Sequence, residues 1–537
     1  MKSHEVVVDR SSSVPKMSFA PVFNISMCFV DRHLAEGRSS KVMARGPRGD
    51  LTYAQLADGT YRMAAALGHL GVKRGDRVLL LMTDCPAFYF AFLGVTRLGA
   101  IAVLANTYLK AADYAYIVEE SGAAAMIVAP VSMTEVAMAL TQPEISVPHK
   151  IVAEGDCPSG WLSMEELCRA EDGQPPAAEE TNATTDCFIL YSSGSTGKPK
   201  GCVHQHKDLV YLAVLYAEQI LGLHEKDVIF SIGKLFFAYG INNSLGFVLW
   251  AGCSVILLED RVTAENSLTA IEAGKPTVYF SVPTMLVHQV AAVRRGVPAE
   301  FGSLRACVCG GEPLPPALFE QWKSITGLEL VEGVGSSEAL HIYISNEMGR
   351  AKPGSVGRPV PGYDIAIRDT EGRDLPHEGI GEIVVRGASV AEYYWKKPEK
   401  TAECMRDGWF HTGDTGYYDA GGFLFFCGRH DDMLRVGSMW VAPSEVESAL
   451  MEHPAVLEVA VVGALDENQL VRPKAFIVLR DPAAAGPAME ADIITTVKSR
   501  LQNFKCPRWI VFMPDLPKTV TGKIQRFRLR THSEGSR

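Results

Sequence analysis

The sequence predicts an α/β fold in which a large N-terminal domain, with parallel-rich sheets covered by helices, precedes a small α+β C-terminal domain. The chain has 537 residues, which is too long for one ordinary hydrophobic core. In its first part, short apolar runs alternate with segments of helical periodicity, the order expected of parallel strands joined by helical crossovers. From Met433 onward, about a hundred residues mix both kinds of segment, which is enough for an independent unit.

The bulk composition narrows the class of function. Apolar residues make up 47% and charged residues 21% of the chain, the net charge is −10 and the pI is about 5.8, so nothing points to a nucleic-acid partner. The 12 cysteines form no C-x-x-C pair, and Cys307 and Cys309 stand in an apolar run typical of buried side chains rather than of a zinc site. We therefore expect a cytoplasmic protein, with no signal segment in residues 1–16 and no membrane span.

Helical and strand-like segments alternate along the first part of the chain. Residues 153–186 are rich in Glu, Asp, Pro and Ala and are expected to run over the surface. The predicted elements are, in order, a helix in 24–36, a helix at 52–70, a strand at 78–82, a helix at 86–98, a strand at 101–104, a helix through Ile117 and a strand at 125–128.

A glycine-rich stretch at 191–201 reads Y-S-S-G-S-T-G-K-P-K-G and follows a strand-like run at 187–191. Glycine lets backbone N–H groups face an anion, hydroxyl groups add donors, and lysine adds a mobile positive charge. The stretch is not a Walker A loop, because Ser192 rather than glycine stands six residues before Lys198, and Pro199 follows. It predicts a phosphate-binding loop, and a flexible surface loop is the alternative reading.

An aromatic segment and a glycine turn follow further along. Residues 235–249, L-F-F-A-Y-G-I-N-N-S-L-G-F-V-L, set aromatic rings beside glycine and asparagine, a pattern that in isolation indicates core packing. A strand-like run at 305–308 leads into Gly310-Gly311-Glu312. Two glycines at a strand end would let a planar ring approach the backbone, although such turns are common.

Residues 331–346, V-E-G-V-G-S-S-E-A-L-H-I-Y-I-S-N, hold a carboxylate and a histidine three residues apart. The Glu338 carboxylate is the kind of hard oxygen ligand with which Mg²⁺ bridges to phosphate oxygens. An isolated histidine such as His341 is more often a buried structural residue than a ligand.

The C-terminal part carries three polar motifs, W-F-H-T-G-D at 409–414, G-R-H-D-D at 428–432 and P-K-T-V-T-G-K-I-Q-R at 517–526. The two oxygens of the Asp414 carboxylate can accept hydrogen bonds from a vicinal diol. Without further context, the last motif reads as a basic solvated tail. The predicted elements here are a strand at 436–441, a helix at 443–451 capped by Ser444, strands at 459–462 and 475–478, and a helix at 491–502.

Taken together, these motifs resemble the adenylate-forming superfamily, which contains acyl-CoA and aryl-CoA ligases, peptide-synthetase adenylation domains and firefly luciferase. The resemblance runs from about Phe23 to Arg530, with the motifs in the family's order. It implies ATP or AMP contacts for the phosphate loop, the glycine turn, the 331–346 segment and the two polar motifs that follow. The residues so assigned are Ser192, Ser193, Gly194, Ser195, Thr196, Gly197, Lys200, Gly311, Glu312, Gly335, Asp414 and Arg429.

A narrower resemblance is to benzoate–CoA ligases, and it is carried by F-F-A-Y-G at 236–240 and S-S-E-A-L-H at 336–341. It implies an aryl-acid site at Ala238, Tyr239, Gly240 and His341. In this reading His341 is a donor that faces the substrate carboxylate and orients a small aromatic acid.

The resemblance also implies the catalytic groups. Ser337 would contact the α-phosphate, Glu338 would help to hold Mg²⁺, and Lys523 would bridge the substrate carboxylate and the α-phosphate. The C-terminal domain would be a mobile lid that rotates about Asp431 and then presents a face containing Gly437 to CoA. The implied domains are residues 1–430, with the ATP and aryl-acid sites, and residues 431–537, with the catalytic lysine.

We therefore expect an AMP-forming aryl-carboxylate–CoA ligase that uses ATP, Mg²⁺ and CoA. Its acid would be benzoate or a small relative such as 2-aminobenzoate or a hydroxybenzoate, activated as an aryl-AMP, and the enzyme a monomer or homodimer. Three alternatives remain: an adenylation enzyme that loads a carrier protein, a medium-chain acyl-CoA ligase, and a non-catalytic nucleotide-binding protein. The first is disfavoured because no carrier domain follows Arg537 and because Tyr239 stands where amino-acid-activating relatives usually carry Asp.

Overall fold

The computed structural model describes residues 1–192, 198–436, 439–467, 470–518, 524–526 and 528–530. In chain order, the strands are β1 (Val6–Asp9), β2 (Lys16–Phe19), β3 (Val42–Gly46), β4 (Gly49–Thr52), β5 (Arg77–Leu81), β6 (Ile101–Leu104), β7 (Ala125–Val128), β8 (His149–Val152), β9 (Leu162–Ser163), β10 (Asp186–Ser192), β11 (Lys200–Gln205), β12 (Val228–Ser231), β13 (Ser254–Ile256), β14 (Val278–Ser281), β15 (Ala306–Gly310), β16 (Leu330–Gly335), β17 (Ile342–Ser345), β18 (Arg358–Pro359), β19 (Tyr363–Arg368), β20 (Gly381–Gly387), β21 (Met405–Arg406), β22 (Trp409–Tyr418), β23 (Leu424–Arg429), β24 (Leu434–Val436), β25 (Met439–Val441), β26 (Val456–Leu465), β27 (Val471–Leu479) and β28 (Trp509–Phe512).

The α-helices are α1 (Arg32–Ala35), α2 (Tyr53–His69), α3 (Pro86–Arg97), α4 (Ala111–Ser121), α5 (Met133–Ala139), α6 (Met164–Ala170), α7 (Asp208–Leu212), α8 (Ala238–Ile241), α9 (Phe247–Ala251), α10 (Ala264–Gly274), α11 (Pro283–Arg294), α12 (Pro316–Thr326), α13 (Pro398–Cys404), α14 (Pro443–Met451) and α15 (Pro487–Lys498). π-Helical turns lie at Met27–Asp31, Ala213–Glu218 and Asn242–Gly246, and 3₁₀ turns at Pro130–Ser132, His430–Asp432, Pro482–Ala484 and Asn503–Lys505.

Two large, mostly parallel sheets form the N-terminal domain. One has the strand order β11-β10-β6-β5-β7-β8-β9, and the other β18-β17-β16-β15-β14-β12-β13-β3-β4. Antiparallel pairing is confined to their edges, at β10–β11, β16–β17, β17–β18 and β3–β4. The central strands β6, β7 and β14 are buried along their whole length, as expected for parallel strands covered on both faces. Strand β10 leads into the glycine-rich stretch, β15 into the glycine turn, and β16 into residues 336–341.

Local sequence signals explain where these elements begin. Helix α2 starts at a capping box, in which the Thr52 hydroxyl accepts from the Gln55 backbone N–H at 3.2 Å and the Gln55 side chain accepts from the Thr52 N–H at 2.8 Å. Helix α3 begins with Pro86, whose fixed φ suits a first turn. Both helices lie where the sequence predicted them, at 52–70 and 86–98.

A smaller antiparallel sheet and the C-terminal domain complete the fold. The sheet has the order β19-β20-β22-β21, with β23 paired to β22. The C-terminal domain contains the β24–β25 hairpin, the sheet β26-β27-β28, and helices α14 and α15. The predicted fold class, a large α/β domain followed by a small α+β domain, is confirmed. Among the described residues, no helix combines the length and the apolar character that crossing a bilayer requires.

The structure differs from the sequence prediction at three places in the C-terminal domain. Helix α14 has Ala442 as its N-cap, so Ser444 lies inside the first turn, where its hydroxyl donates to the Cys427 carbonyl at 3.1 Å and ties the helix to β23. The strand predicted at 436–441 is two short strands, because Val436 pairs with Met439. The last helix begins at Pro487, four residues earlier than predicted, because proline suits its first turn.

Candidate active site

The turn that joins β16 to β17, residues 336–341, lies at the centre of the candidate site. Gly335 has no room for a side chain, since a Cβ there would come within 2.4 Å of the His341 carbonyl oxygen. Leu340 is buried and has a φ of +70°, a left-handed conformation that disfavours leucine. Glu338 in this turn contacts Lys200, and His341 contacts the aromatic segment through Tyr239.

A buried charge cluster marks the phosphate side of the turn. The Lys200 ammonium lies 2.6 Å from Glu338 Oε1 and 3.0 Å from the Tyr394 hydroxyl, which itself donates to Glu338 Oε1 at 2.7 Å. Burial would raise the pKa of Glu338, but the Lys200 charge and these hydrogen bonds outweigh it and lower the pKa to about 2. The site therefore holds an ionised carboxylate against a lysine that begins β11.

The phosphate loop itself is only partly described. Ser192 ends β10 directly opposite Lys200 in the β10–β11 pair, so the two ends of the loop are held together, and Lys200 connects them to Glu338. The residues between them that the sequence assigns to ATP, Ser193, Gly194, Ser195, Thr196 and Gly197, lie outside the described residues and stay predictions.

The glycine turn follows β15, which pairs with β16, the strand that leads into residues 336–341. Gly311 has a φ of +87°, which glycine adopts without strain. The Glu312 carboxylate accepts from the Thr284 N–H at 3.1 Å and from the Thr284 hydroxyl at 2.7 Å, so that side chain anchors the turn to the start of α11. The Glu312 side chain therefore stabilises the turn, and the predicted contact with the nucleotide falls to the backbone of the turn.

Glu332 is a buried acid behind this turn that sequence reasoning missed. It lies on β16, is 4% exposed, and accepts from the Leu314 N–H at 3.1 Å. Burial raises its pKa to about 8, because the charged form is poorly solvated there. At neutral pH the folded protein therefore holds this carboxyl protonated.

This proton predicts a pH dependence of stability. The unfolded chain releases it near the ordinary pKa of 4.5, whereas the folded chain keeps it up to about pH 8. Between these values the folded state binds more protons, so this group makes the free energy of unfolding fall by about 1.4 kcal/mol per pH unit as pH rises. In urea denaturation, Glu332→Gln should lose this slope and be more stable than the parent protein at pH 8. The exposed Glu320→Gln variant should keep the slope; equal slopes in all three proteins would contradict the assignment.

Two residues assigned to ATP or AMP, Asp414 and Arg429, face each other across the β22–β23 pair. Arg429 Nη1 donates to Asp414 Oδ1 at 3.0 Å and to the Thr412 carbonyl at 2.8 Å. A short 3₁₀ turn, His430–Asp432, follows, and the Asp431 carbonyl accepts from the Arg530 guanidinium at 3.1 Å. Gly437 and Lys523, assigned to CoA and to catalysis, lie outside the described residues.

The aromatic segment meets the other side of the turn. The Tyr239 ring stacks on His341, with centroids 5.3 Å apart and planes at 18°, while Tyr216 and Phe247 lie 4.9 Å and 5.0 Å from the same imidazole. Ala238 and Gly240 share helix α8 with Tyr239, and a Cβ on Gly240 would come within 2.0 Å of the Lys234 carbonyl oxygen. The four residues predicted for the aryl acid therefore lie together.

His341 is neutral, and among the residues that the structure describes only one of its two nitrogens has a hydrogen-bond partner. Its Nε2 lies 2.9 Å from Asn243 Oδ1, and its Nδ1 is buried with no hydrogen-bond partner among the described residues. Burial lowers its pKa to about 3. A buried, unsatisfied polar atom beside stacked rings is what a site for a small polar aromatic molecule would provide.

Three residues that the sequence did not single out belong to this arrangement. Tyr394 bridges Lys200 and Glu338, Asn243 bonds His341, and His204 bonds the Ser337 carbonyl at 2.9 Å. His204 and Lys200 are four residues apart on one strand, a spacing that places both on the same face. That spacing was a usable signal, whereas nothing near Tyr394 indicated its role.

Comparison with known proteins agrees with these features. The chain matches the AMP-binding enzyme family over residues 31–395 and the AMP-binding enzyme C-terminal domain over residues 445–523. A benzoate–CoA ligase of Thauera aromatica is 40% identical over 527 residues, which is 98% of this chain and 99% of that protein. A benzoate CoA ligase from Burkholderia xenovorans LB400 superposes with a TM-score of 0.87 at 39% identity, covering 95% and 100% of the two chains. An anthranilate CoA ligase in complex with anthranoyl-AMP superposes with a TM-score of 0.92 at 36% identity, covering 96% and 98%.

Proposed function

Because the chain belongs to the AMP-binding enzyme family, we propose that it is an ATP-dependent, AMP-forming aryl-carboxylate–CoA ligase. It joins benzoate or a small substituted benzoate, such as 2-aminobenzoate or a hydroxybenzoate, to CoA through an aryl-AMP intermediate. One observation carries this proposal: the turn at 336–341 presents the Lys200–Glu338 pair on one side and the stacked Tyr239 and His341 rings on the other. An anionic nucleotide and a flat acid can meet there.

In the first half-reaction, a carboxylate oxygen of the aryl acid attacks the α-phosphorus of ATP, and the bond to pyrophosphate breaks. The protein accelerates this mainly by positioning the reactants and by offsetting negative charge. The phosphate loop and Lys200 bind the β- and γ-phosphates, and Ser337 contacts the α-phosphate. Asp414 binds the ribose hydroxyls, and Arg429 contacts both ribose and phosphate. Lys523 bridges the two reacting groups in this assignment, which rests on its motif.

Mg²⁺ fits the chemistry of Glu338, whose carboxylate is ionised at any physiological pH. Among the described residues, no cluster of three or more His, Cys, Asp or Glu side chains could hold a metal ion. The ion would therefore be bound by Glu338 together with ATP phosphate oxygens, as is usual for magnesium. When bound, it supplies charge neutralisation at the phosphates.

In the second half-reaction, the CoA thiol attacks the aryl-AMP carbonyl carbon and AMP leaves. We assign residues 1–430 to the domain that binds ATP and the acid, and residues 431–537 to a lid that rotates about Asp431 between the half-reactions. The 3₁₀ turn at Asp431 supports this hinge, because rotation there needs only a few backbone angles to change. A cytoplasmic location and a monomeric or dimeric state stay predictions.

The function is tested by CoA-dependent AMP release over a panel of acids. The panel contains benzoate, 2-aminobenzoate, the three hydroxybenzoates, cyclohexanecarboxylate and octanoate. Preference for one aryl acid is expected and would name the substrate. Octanoate turnover above that of every aryl acid would instead indicate a medium-chain ligase, and turnover only with a carrier protein as acceptor would indicate a loading enzyme.

The role of His341 is tested with the preferred acid. His341→Ala should raise the KM for the acid several-fold and leave the KM for ATP within about twofold, because the imidazole touches the aryl side of the turn only. His33→Ala, which removes another buried histidine that bonds the Leu249 carbonyl, is the matched control and should change neither KM. A large ATP defect in His341→Ala would place His341 in the nucleotide site.

A further inference from the structure

The backbone of the central turn is held from outside at every carbonyl from Ser337 to Leu340. The Ser337 carbonyl accepts from His204 Nε2 at 2.9 Å, and the Glu338 carbonyl from the Ala391 N–H at 2.7 Å. The next two carbonyls accept from the Ser389 hydroxyl at 2.9 Å and from Asn242 Nδ2 at 2.8 Å. Four consecutive carbonyls are thus fixed by three segments that are distant in sequence.

These hydrogen bonds offset the backbone strain at Leu340. The left-handed conformation of Leu340 is unfavourable for a residue that carries a side chain, and such residues persist only when their surroundings determine the backbone strongly. The Ser337 carbonyl also accepts from the Leu340 N–H at 3.2 Å, which closes the turn. The bond from His204 therefore acts at the atom that closes the turn next to Glu338.

His204 reaches that carbonyl from the strand that also carries Lys200. Side chains at positions i and i+4 of a strand lie on one face, so Lys200 contacts Glu338 and His204 contacts the preceding residue. The His204 side chain is fully buried and stacks on Phe188, with centroids 5.2 Å apart and planes at 25°. Strand β11 thus contacts two consecutive residues of the turn, Ser337 and Glu338.

The other nitrogen of His204 is fixed by a buried carboxylate. Nδ1 lies 3.2 Å from Asp208 Oδ2, which also accepts from the Gln205 N–H at 2.9 Å. Asp208 Oδ1 accepts from the Lys207 ammonium at 2.8 Å, and Lys207 in turn donates to the Ala388 carbonyl at 2.8 Å. Both carboxylate oxygens of Asp208 are therefore hydrogen-bonded, and Asp208 sets the orientation of the imidazole ring.

We propose that His204, oriented by Asp208, is a positioning residue for adenylate formation, which holds Ser337 and Glu338 in the geometry that the α-phosphate requires. The proposal rests on the proposed ligase function. His204 touches neither substrate in this role, and it acts through the Ser337 carbonyl. Its loss should reduce the rate of the first half-reaction rather than the binding of the aryl acid.

The test compares His204→Phe with His204→Gln. Phenylalanine keeps the stacking on Phe188 but has no donor, whereas glutamine keeps one donor. Aryl-acid-dependent ATP–pyrophosphate exchange should show kcat about 10–100-fold lower in His204→Phe, with the KM for the acid within twofold, since small misplacements of catalytic groups have effects of this size. His204→Gln should recover a large part of that loss, and thioester formation from preformed aryl-AMP should be nearly unchanged in both variants.

His206→Phe is the matched control, because His206 is equally buried on the same segment and bonds the Ile25 N–H instead of the turn. It should lose stability without losing kcat per folded molecule. Hydrogen–deuterium exchange of a peptide covering 336–341 should rise in His204→Phe and not in His206→Phe, whether or not an acid substrate is known. Equal kcat in the two phenylalanine variants, or unchanged exchange in the turn, would overturn the proposal. An inactive parent protein whose turn still loosens in His204→Phe would overturn the ligase function alone.

Discussion

Replacing Lys200 with methionine is expected to lower the rate of aryl-AMP formation by about 10²–10³-fold, the usual effect of removing one preorganised donor from a charged transition state. The same change should destabilise the folded protein by about 3 kcal/mol, because it leaves the Glu338 carboxylate buried without its ammonium partner. ATP–pyrophosphate exchange measures the first effect, and urea denaturation at pH 7 measures the second.

The two effects can be separated. In Lys200→Met combined with Glu338→Gln no unpaired charge remains, so stability should recover while exchange activity stays low. Arg305→Met is the matched control: it breaks another buried pair, with Asp227 at 2.7 Å, and should lower stability without lowering the rate of the folded enzyme. Full activity in Lys200→Met would show that this lysine only neutralises Glu338.

Lys523→Ala is expected to separate the two half-reactions. Adenylation should fall by about 10²–10³-fold, since the lysine is assigned to the carboxylate and the α-phosphate at the moment when charge develops. Thioester formation from chemically prepared aryl-AMP should be preserved, because in the proposed mechanism the lid would by then have moved the lysine away. The measurement is single-turnover kinetics of each half-reaction.

Lys498→Ala, which removes a lysine in the last turn of α15, should leave both half-reactions unchanged. Equal losses in both half-reactions of Lys523→Ala would mean that this lysine supports the fold of the lid or acts outside adenylation.

Short-range signals in the sequence were enough to predict most of the fold. Apolar runs such as 101–104 became buried parallel strands, and the segment of helical periodicity at 52–70 became α2. Prediction was weaker where the type of side chain does not by itself decide which of several neighbouring residues begins a helix. Ser444 has the right side chain for an N-cap, but its hydroxyl bonds a carbonyl of the neighbouring strand instead.

The residues of the candidate site that stand within sequence motifs were predictable. Lys200, Glu338, Tyr239 and His341 each stand in a recognisable stretch, and the structure brings them to one turn. Tyr394 lies 56 residues from Glu338 in the chain, in a segment with no motif, so its bond to that carboxylate could emerge only from the fold. The role of Lys523 stays a prediction from its motif.

The hydrogen bonds that fix the central turn have a thermodynamic consequence for the affinities of the two substrates. In the proposed function, Ser337 and Glu338 would face the nucleotide and His341 would face the acid, and each carbonyl from Ser337 to Leu340 is hydrogen-bonded to another segment. A small displacement of the turn backbone that improves its contact with one substrate must therefore also change its contact with the other substrate. Occupancy of one site then changes the affinity of its neighbour, and linkage requires the same factor in both directions. The dissociation constant for ATP measured with and without the acid, and that for the acid measured with and without a non-hydrolysable ATP analogue, should change by one common ratio.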